Sequence, residues 1–254
     1  MSTKIIDPAY ISTDNFSVYY TPPITEGLVG FYDLTTGSLA NRLQNKAGPG
    51  LAPAKAVGPV SFNEADPFVV LSGDTWWADT SIRLDAVYTT ISIFNITSAM
   101  ITAANWPAII GDYYADATEY GASVFVQDAN TIRARTSINA SGVTRVDAFM
   151  TYGTAISDWR MLVNSVSSSL ISGWDLTKSI SATAAISQPR HLVARPVLLG
   201  SLQSHSGTIP NGPAQHAFHA IYNGKALNLT EAGDMQAYFN DLMILRGLPT
   251  IYPS

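Results

Sequence analysis

The run from Val197 to Tyr252 constrains this chain more than any other stretch. It reads VLLGSLQSHSGTIPNGPAQHAFHAIYNGKALNLTEAGDMQAYFNDLMILRGLPTIY. A strand-like run ends in Leu198-Leu199-Gly200, a Gly/Pro/Asn loop follows, and a second strand-like run covers His216–Tyr222. The turn Asn223-Gly224 then leads into one amphipathic helix, predicted over Leu229–Arg246. Asn228 is placed to cap it, with Glu231 at the third helical position to bond back. Met235, Tyr238, Phe239 and Leu242 recur at helical spacing and define its buried face. Gly247 ends the helix and Pro249 blocks its continuation.

The remainder of the chain carries strand patterns. Charged residues make up 13% of the 254 residues, about half the usual share. Exposed helical faces would need more Lys and Glu, so this favours β structure with many turns. The length suits one large β domain able to bury a substantial core. Phe68–Leu71 is strand-like, and Tyr88–Ile96 alternates Ile91 and Ile93 against Thr90 and Ser92, the pattern of a half-buried strand. Gly121–Gln127 and Thr131–Ser137 flank Asp128-Ala129-Asn130 as a hairpin. Val146–Tyr152 and Asp158–Ser165 continue the series, the latter with Trp159, Met161 and Val163 on one face. Val166–Ile186 reads as strands joined by loops.

Residues 1–25 read as an extended arm ahead of a body at 26–254, because Asp7-Pro8 and Pro22-Pro23 break regular structure. A solvated tail rarely holds four aromatics. Tyr10, Phe16, Tyr19 and Tyr20 therefore mark the arm as a segment that docks on a partner or a neighbouring subunit.

Three stretches carry a family likeness: the opening Gly27-Leu28-Val29-Gly30-Phe31-Tyr32-Asp33, the strand DWRMLVNS from Asp158, and the closing strand, turn and helix. In this order they resemble the concanavalin A-like, laminin-G-type jelly-roll domains. The resemblance implies an all-β, two-sheet antiparallel jelly-roll sandwich with an N-terminal extended arm and a short C-terminal helix. Asn41-Arg42-Leu43-Gln44-Asn45 stands where the family often has an acidic, metal-friendly loop. Within the family, a chain with few charges, no cysteine, a tyrosine-rich arm and no signal peptide resembles bacteriophage tail, baseplate or fibre proteins. That implies a virion structural protein, made in the host cytoplasm. It would self-associate, dock on other virion proteins through its arm, and turn its jelly roll toward a host-surface glycan. The alternative is a stand-alone bacterial carbohydrate-binding, lectin-like module. Fold alone does not decide between them.

The residues argue against an enzyme. Glycoside hydrolysis needs two flanking carboxylates. The fold's hydrolases hold them on one strand as E-x-D-x-E, whereas this chain's four glutamates, Glu26, Glu64, Glu119 and Glu231, offer only Glu64-Ala65-Asp66 before Pro67 intervenes. No G-x-S-x-G elbow is present. The net charge is −5 with no block of like charge, so neither a nucleic-acid arm nor a membrane patch is expected. No run of about 18 apolar residues exists to span a membrane.

His216 and His219 look like a metal pair, but three residues apart on a strand they should face opposite sides. No metal site is expected from them. Calcium needs several converging oxygens. Asp112, Asp116 and Glu119 form one such group, and Asp74 with Asp79 another, against the plain reading of solvated loop acids. Carbohydrate binding uses aromatic faces beside polar groups. The candidates are Trp76, Trp77, Trp106, Tyr113 and Tyr114, with core packing as the alternative for each. Trp76 and Trp77 are adjacent, so on a strand one faces in and the other out. Arg133, Arg135 and Arg145 form a polar stripe able to meet an acidic glycan, or simply a solvated face.

Overall fold

The computed structural model describes residues 20–101, 106–113, 120–139, 144–202 and 212–252. The chain forms β1 (Leu28–Asp33), α1 (Leu39–Leu43), β2 (Lys55–Val57), β3 (Val69–Leu71), β4 (Trp77–Asp79), β5 (Tyr88–Ile96) and β6 (Ala108–Gly111). It continues with β7 (Ser123–Asp128), β8 (Thr131–Ile138), β9 (Thr144–Thr151), β10 (Asp158–Val166), β11 (Leu170–Asp175) and β12 (Ile180–Ala185). β13 (Leu198–Leu199), β14 (Ala214–Asn223) and α2 (Leu229–Leu245) close it.

Every ladder between these strands is antiparallel. Sheet A has the order β1-β14-β5-β10-β11-β12, with β3 also paired to β14. Sheet B has the order β2-β4-β13-β6-β7-β8-β9. This is the expected all-β, two-sheet antiparallel jelly-roll sandwich with a short C-terminal helix.

Two apolar layers hold it together. Between the sheets lie Phe94, Ile96, Leu162 and Ile221 of sheet A against Ile109, Val124, Ile132 and Ala134 of sheet B. On the outer face of sheet A, Ile91, Ile93, Met161, Phe218 and Ala220 pack under Met235, Phe239 and Leu242 of α2. The capping box is present: Asn228 accepts from the Glu231 N–H, and the Glu231 carboxylate accepts from the Asn228 N–H. One expectation needs correction. β5 is not half-buried, because the second sheet covers one face and α2 the other, so eight of its nine residues are buried. Alternation of Ile with Thr and Ser thus marks two different cores, not core and solvent.

The Asn41–Asn45 run is a structural brace. Arg42 is fully buried, and its guanidinium donates to the carbonyls of Gly37, Leu34, Phe68, Glu64 and Asp66 at 2.8–3.0 Å. It stitches α1 to the 64–68 loop. Asn45 accepts from the Phe31 and Ala47 N–H groups and donates to the Val29 carbonyl.

Residues 1–19 of the expected arm, with Tyr10, Phe16 and Tyr19, lie outside the described residues. Tyr20 packs on the chain's own body. Its ring stacks on Phe31 at 4.9 Å, and its hydroxyl donates to the buried Asp33 at 2.5 Å and accepts from Arg246 at 2.8 Å. Arg246 also reaches Asp33 directly at 2.9 Å. Tyr20 therefore joins β1 to the end of α2. Replacing Tyr20 with Ala is expected to lower unfolding free energy by about 2–3 kcal/mol in urea titrations, since it removes a stacked ring and one partner of a buried carboxylate.

Candidate functional site

The polar opening on the outer face of sheet A arises where α2 stops covering it. Strand register sets its floor. Gln215, Asn95 and Trp159 are partners on β14, β5 and β10, so their side chains stand in one row on the same side as Ile93 and Met161. Trp159 packs among the α2-side core at 8% exposure and meets Phe68 at 6.1 Å. Asn95 donates to the Gln215 amide oxygen at 2.7 Å, while its own Oδ1 is buried with no hydrogen-bond partner.

The opposite wall is the chain after α2. Asn240 accepts from the Ile251 N–H at 3.1 Å, and Gln236 donates to the Ile251 carbonyl at 2.6 Å. These two helix amides pin Ile251 into the core, leaving Thr250 and the half-exposed ring of Tyr252 at the rim. The third side is the start of β10 and the turn after β11. Asp158 there has φ +88°, a left-handed conformation costly for a residue with a Cβ. Its exposed carboxylate meets Lys178 at 3.5 Å.

Together Asn95, Ile96, Thr97, Ser157, Asp158, Trp159, Thr177, Lys178, Pro249, Thr250 and Tyr252 line a groove of about 740 Å³, a size that suits small ligands. It offers the half-exposed Tyr252 ring, hydroxyls, one carboxylate and one ammonium, over a floor that holds Trp159 and the Asn95 amide with its buried Oδ1. Among the described residues, Asp158 is the one carboxylate in the lining, whereas glycosidic cleavage uses two.

Of the five aromatics expected to bind sugar, the four within the described residues, Trp76, Trp77, Trp106 and Tyr113, do not line this groove. Trp76 is the inward member of its pair: it is 2% exposed in the inter-sheet core and donates its Nε1–H to the Ser61 carbonyl. It therefore presents no ring face. Trp77, on β4, is half-buried, and Trp106 is half-buried against the inter-sheet core. Tyr113 is buried on the outer side of sheet B, stacked on Tyr120 at 5.6 Å. Tyr114 lies outside the described residues. Sequence reasoning did place Trp159 correctly on the Met161 and Val163 face. It had no signal for Asn95, Asp158 or Tyr252, which only tertiary folding brings together.

The histidines require a second correction. A bulge at Ala217 shifts the β14–β5 register between His216 and Phe218. The extra residue puts His216 and His219 on the same side of the sheet. Both are fully buried, with His216 Nδ1 to His219 Nε2 at 2.9 Å and His219 Nδ1 to Ser92 Oγ at 3.0 Å. Burial pushes His216 down to about 3 and His219 well below the ordinary imidazole value, so both rings are neutral at pH 7.

Among the described residues no group of three or more metal-ligating side chains is present. Of the acids weighed for calcium, Asp112 is buried, accepts from the Ala122 N–H and pairs with Arg190 at 2.9 Å. Asp116 and Glu119 lie outside the described residues.

No family model and no curated protein matches this sequence. Among solved structures, the chain is similar to the botulinum neurotoxin serotype C1 binding domain: TM-score 0.61, 12% identity, covering 86% of this chain and 52% of that one. The serotype D binding domain gives TM-score 0.62 at 10% identity, with 87% and 52% covered. The binding domain of botulinum neurotoxin DC, solved in complex with rat synaptotagmin II, gives 0.59 at 13% identity, with 86% and 52% covered. The chain spans about half the length of these solved chains, and the likeness is one of fold.

Proposed function

We propose that this protein is a non-enzymatic saccharide-binding module that uses the Asn95–Trp159–Tyr252 groove. The observation that carries the reading is the half-exposed Tyr252 ring at the rim of a groove that also holds Thr97, Asp158, Lys178 and Thr250. An exposed ring beside hydroxyls and charged groups suits a hydroxyl-rich, ring-shaped ligand. The neighbouring binding domains share the fold and support a binding module; the partner seen with one of them, rat synaptotagmin II, is a protein rather than a saccharide.

Screening the full-length chain against a glycan panel tests it. Replacing Tyr252 with Ala should weaken the bound saccharide by about tenfold, or about 1.4 kcal/mol, with stability nearly unchanged. A hit bound equally by this variant, or one that yields reducing sugar on incubation, contradicts the reading.

The finer setting proposed is an outward-facing bacteriophage tail, baseplate or fibre component, with residues 1–19 as its anchor and self-association in the particle. The aromatic content of that segment supports it. Deleting residues 1–19 should abolish incorporation into particles while leaving saccharide affinity intact. A stand-alone lectin would show the second behaviour only. Calcium in the loops is proposed as an accessory, tested by repeating the titration with EDTA.

A further inference from the structure

The outer face of sheet B is ordered by register into rows. Phe125 of β7 stands opposite Arg133 of β8, which stands opposite Phe149 of β9. The next row is Ser123, Arg135 and Asp147, and beyond it Arg145 faces Ser137. The intervening Val124, Ile132, Ala134, Ala148 and Met150 point into the inter-sheet core. Strand alternation therefore puts all these arginines and aromatics on the side away from it.

The charges on this face do not balance. Asp147 is held by Arg135 through Nε at 2.6 Å and Nη2 at 3.3 Å. Arg133 has only a 3.6 Å approach to that same carboxylate. Its guanidinium lies between two rings, 4.4 Å from the Phe149 centroid and 5.7 Å from that of Phe125. Its Nε is buried without a hydrogen-bond partner. Burial, and then the neighbouring Arg135, hold the Arg133 pKa below its usual value, as expected where negative charge is short. Arg145 is exposed, sits over Tyr120 at 4.7 Å, and among the described residues has the neutral Tyr113 hydroxyl as its hydrogen-bond partner at 3.4 Å. Among the described residues, three guanidiniums on this face share one carboxylate, in a chain whose net charge is −5.

We propose that this face is a second binding surface, separate from the groove, that takes an acidic saccharide bearing sulfate or carboxylate groups. A guanidinium lying against rings can still turn its outer Nη atoms to a ligand, and that pair matches a planar or tetrahedral oxyanion in two-point contact. Phe149, 44% exposed, and Tyr120 supply ring surface beside the charges. A sugar's apolar face can lie there while its acid group meets an arginine. A chain of net negative charge repels polyanions elsewhere on its surface, so attraction is confined to this patch.

Dextran sulfate and polygalacturonate are the probes, with neutral dextran, phosphatidylserine vesicles and a duplex oligonucleotide as comparisons, all titrated against the full-length chain. Either acidic polysaccharide is expected to bind, and to weaken as salt rises from about 50 to about 300 mM. Arg133→Gln with Arg145→Gln should reduce that affinity about tenfold or more. Arg145→Glu alone, at an exposed position, should give a similar loss with no change in folding. Tyr252→Ala should leave it unchanged, so failure here and failure of the groove reading are distinguishable. The proposal is overturned if neither polysaccharide binds, if the arginine variants bind as well as the parent, or if vesicles or the duplex bind as tightly as the polysaccharides.

Discussion

Replacing Arg42 with Met lowers the unfolding free energy by about 3–5 kcal/mol, because it removes five charge-assisted hydrogen bonds from a fully buried guanidinium rather than one contact. Five backbone carbonyls, from Leu34, Gly37, Glu64, Asp66 and Phe68, take their hydrogen bonds from this one guanidinium. Methionine fills much of the volume but donates nothing, so the Leu34 carbonyl loses its partner in a buried site and the other four, from Gly37 and the 64–68 loop, lose the bonds that tie them to α1. Lysine keeps the charge yet has three donors on a single nitrogen and cannot reach five acceptors spread round a fork. Arg42→Lys should therefore fall between the parent and Arg42→Met. Urea unfolding of the three chains reads the order directly. If Arg42→Met unfolds within about 1 kcal/mol of the parent, the loop carbonyls find water and the brace is not what holds them.

Lowering the pH from about 7.5 to about 5 destabilises the protein by about 4 kcal/mol, about 2 from each buried imidazole. Burial holds His216 at about 3 and His219 well below its ordinary value, so neither ring takes a proton in the folded chain over this range. Once unfolded, both titrate near 6.5. The unfolded state binds more protons as pH falls, so stability is present above that value and drains away below it. The Asp33 carboxylate acts at lower pH. Burial raises its pKa, but Lys46 and Arg246 outweigh burial and hold it below its usual value, so its contribution is lost only on further acidification. The double variant His216→Gln with His219→Gln should flatten the stability profile between about pH 7.5 and 5. A parent profile already flat there would mean that the pair is charged or reached by water.

The sequence carries the local signals plainly. The α2 boundaries, its capping box and its Met235, Phe239 and Leu242 face all sit within a few residues of one another, so pattern and capping chemistry suffice. Strand positions such as Tyr88–Ile96 and Asp158–Val166 follow from alternation and turn residues in the same way. What period alone cannot give is how strands are paired. The bulge at Ala217 reverses which way His219 points relative to His216, and nothing in HAFH announces it.

Burial on both faces of β5 depends on a helix more than 130 residues later in the chain, and so does the uncovered end that forms the groove. Asn95, Asp158 and Tyr252 come from three distant stretches and are individually unremarked polar or aromatic residues. The aromatics that stood out by composition, Trp76 above all, did so because large rings fill cores well. Adjacent tryptophans on a strand edge are poor evidence of a platform until the second sheet is known.

The central claim is that a saccharide enters the Asn95–Trp159–Tyr252 groove. The most direct test is the indole N–H region of an ¹⁵N-correlation spectrum, recorded while titrating the saccharide that binds best in the glycan screen. The chain has five tryptophans, Trp76, Trp77, Trp106, Trp159 and Trp174, so the indole signals can be assigned by single substitutions. The account predicts that the Trp159 signal moves in a saturable way, while those of Trp76, Trp77 and Trp106 stay in place. A saturating shift of Trp77 or Trp106 with Trp159 still would put the sugar elsewhere and contradict it.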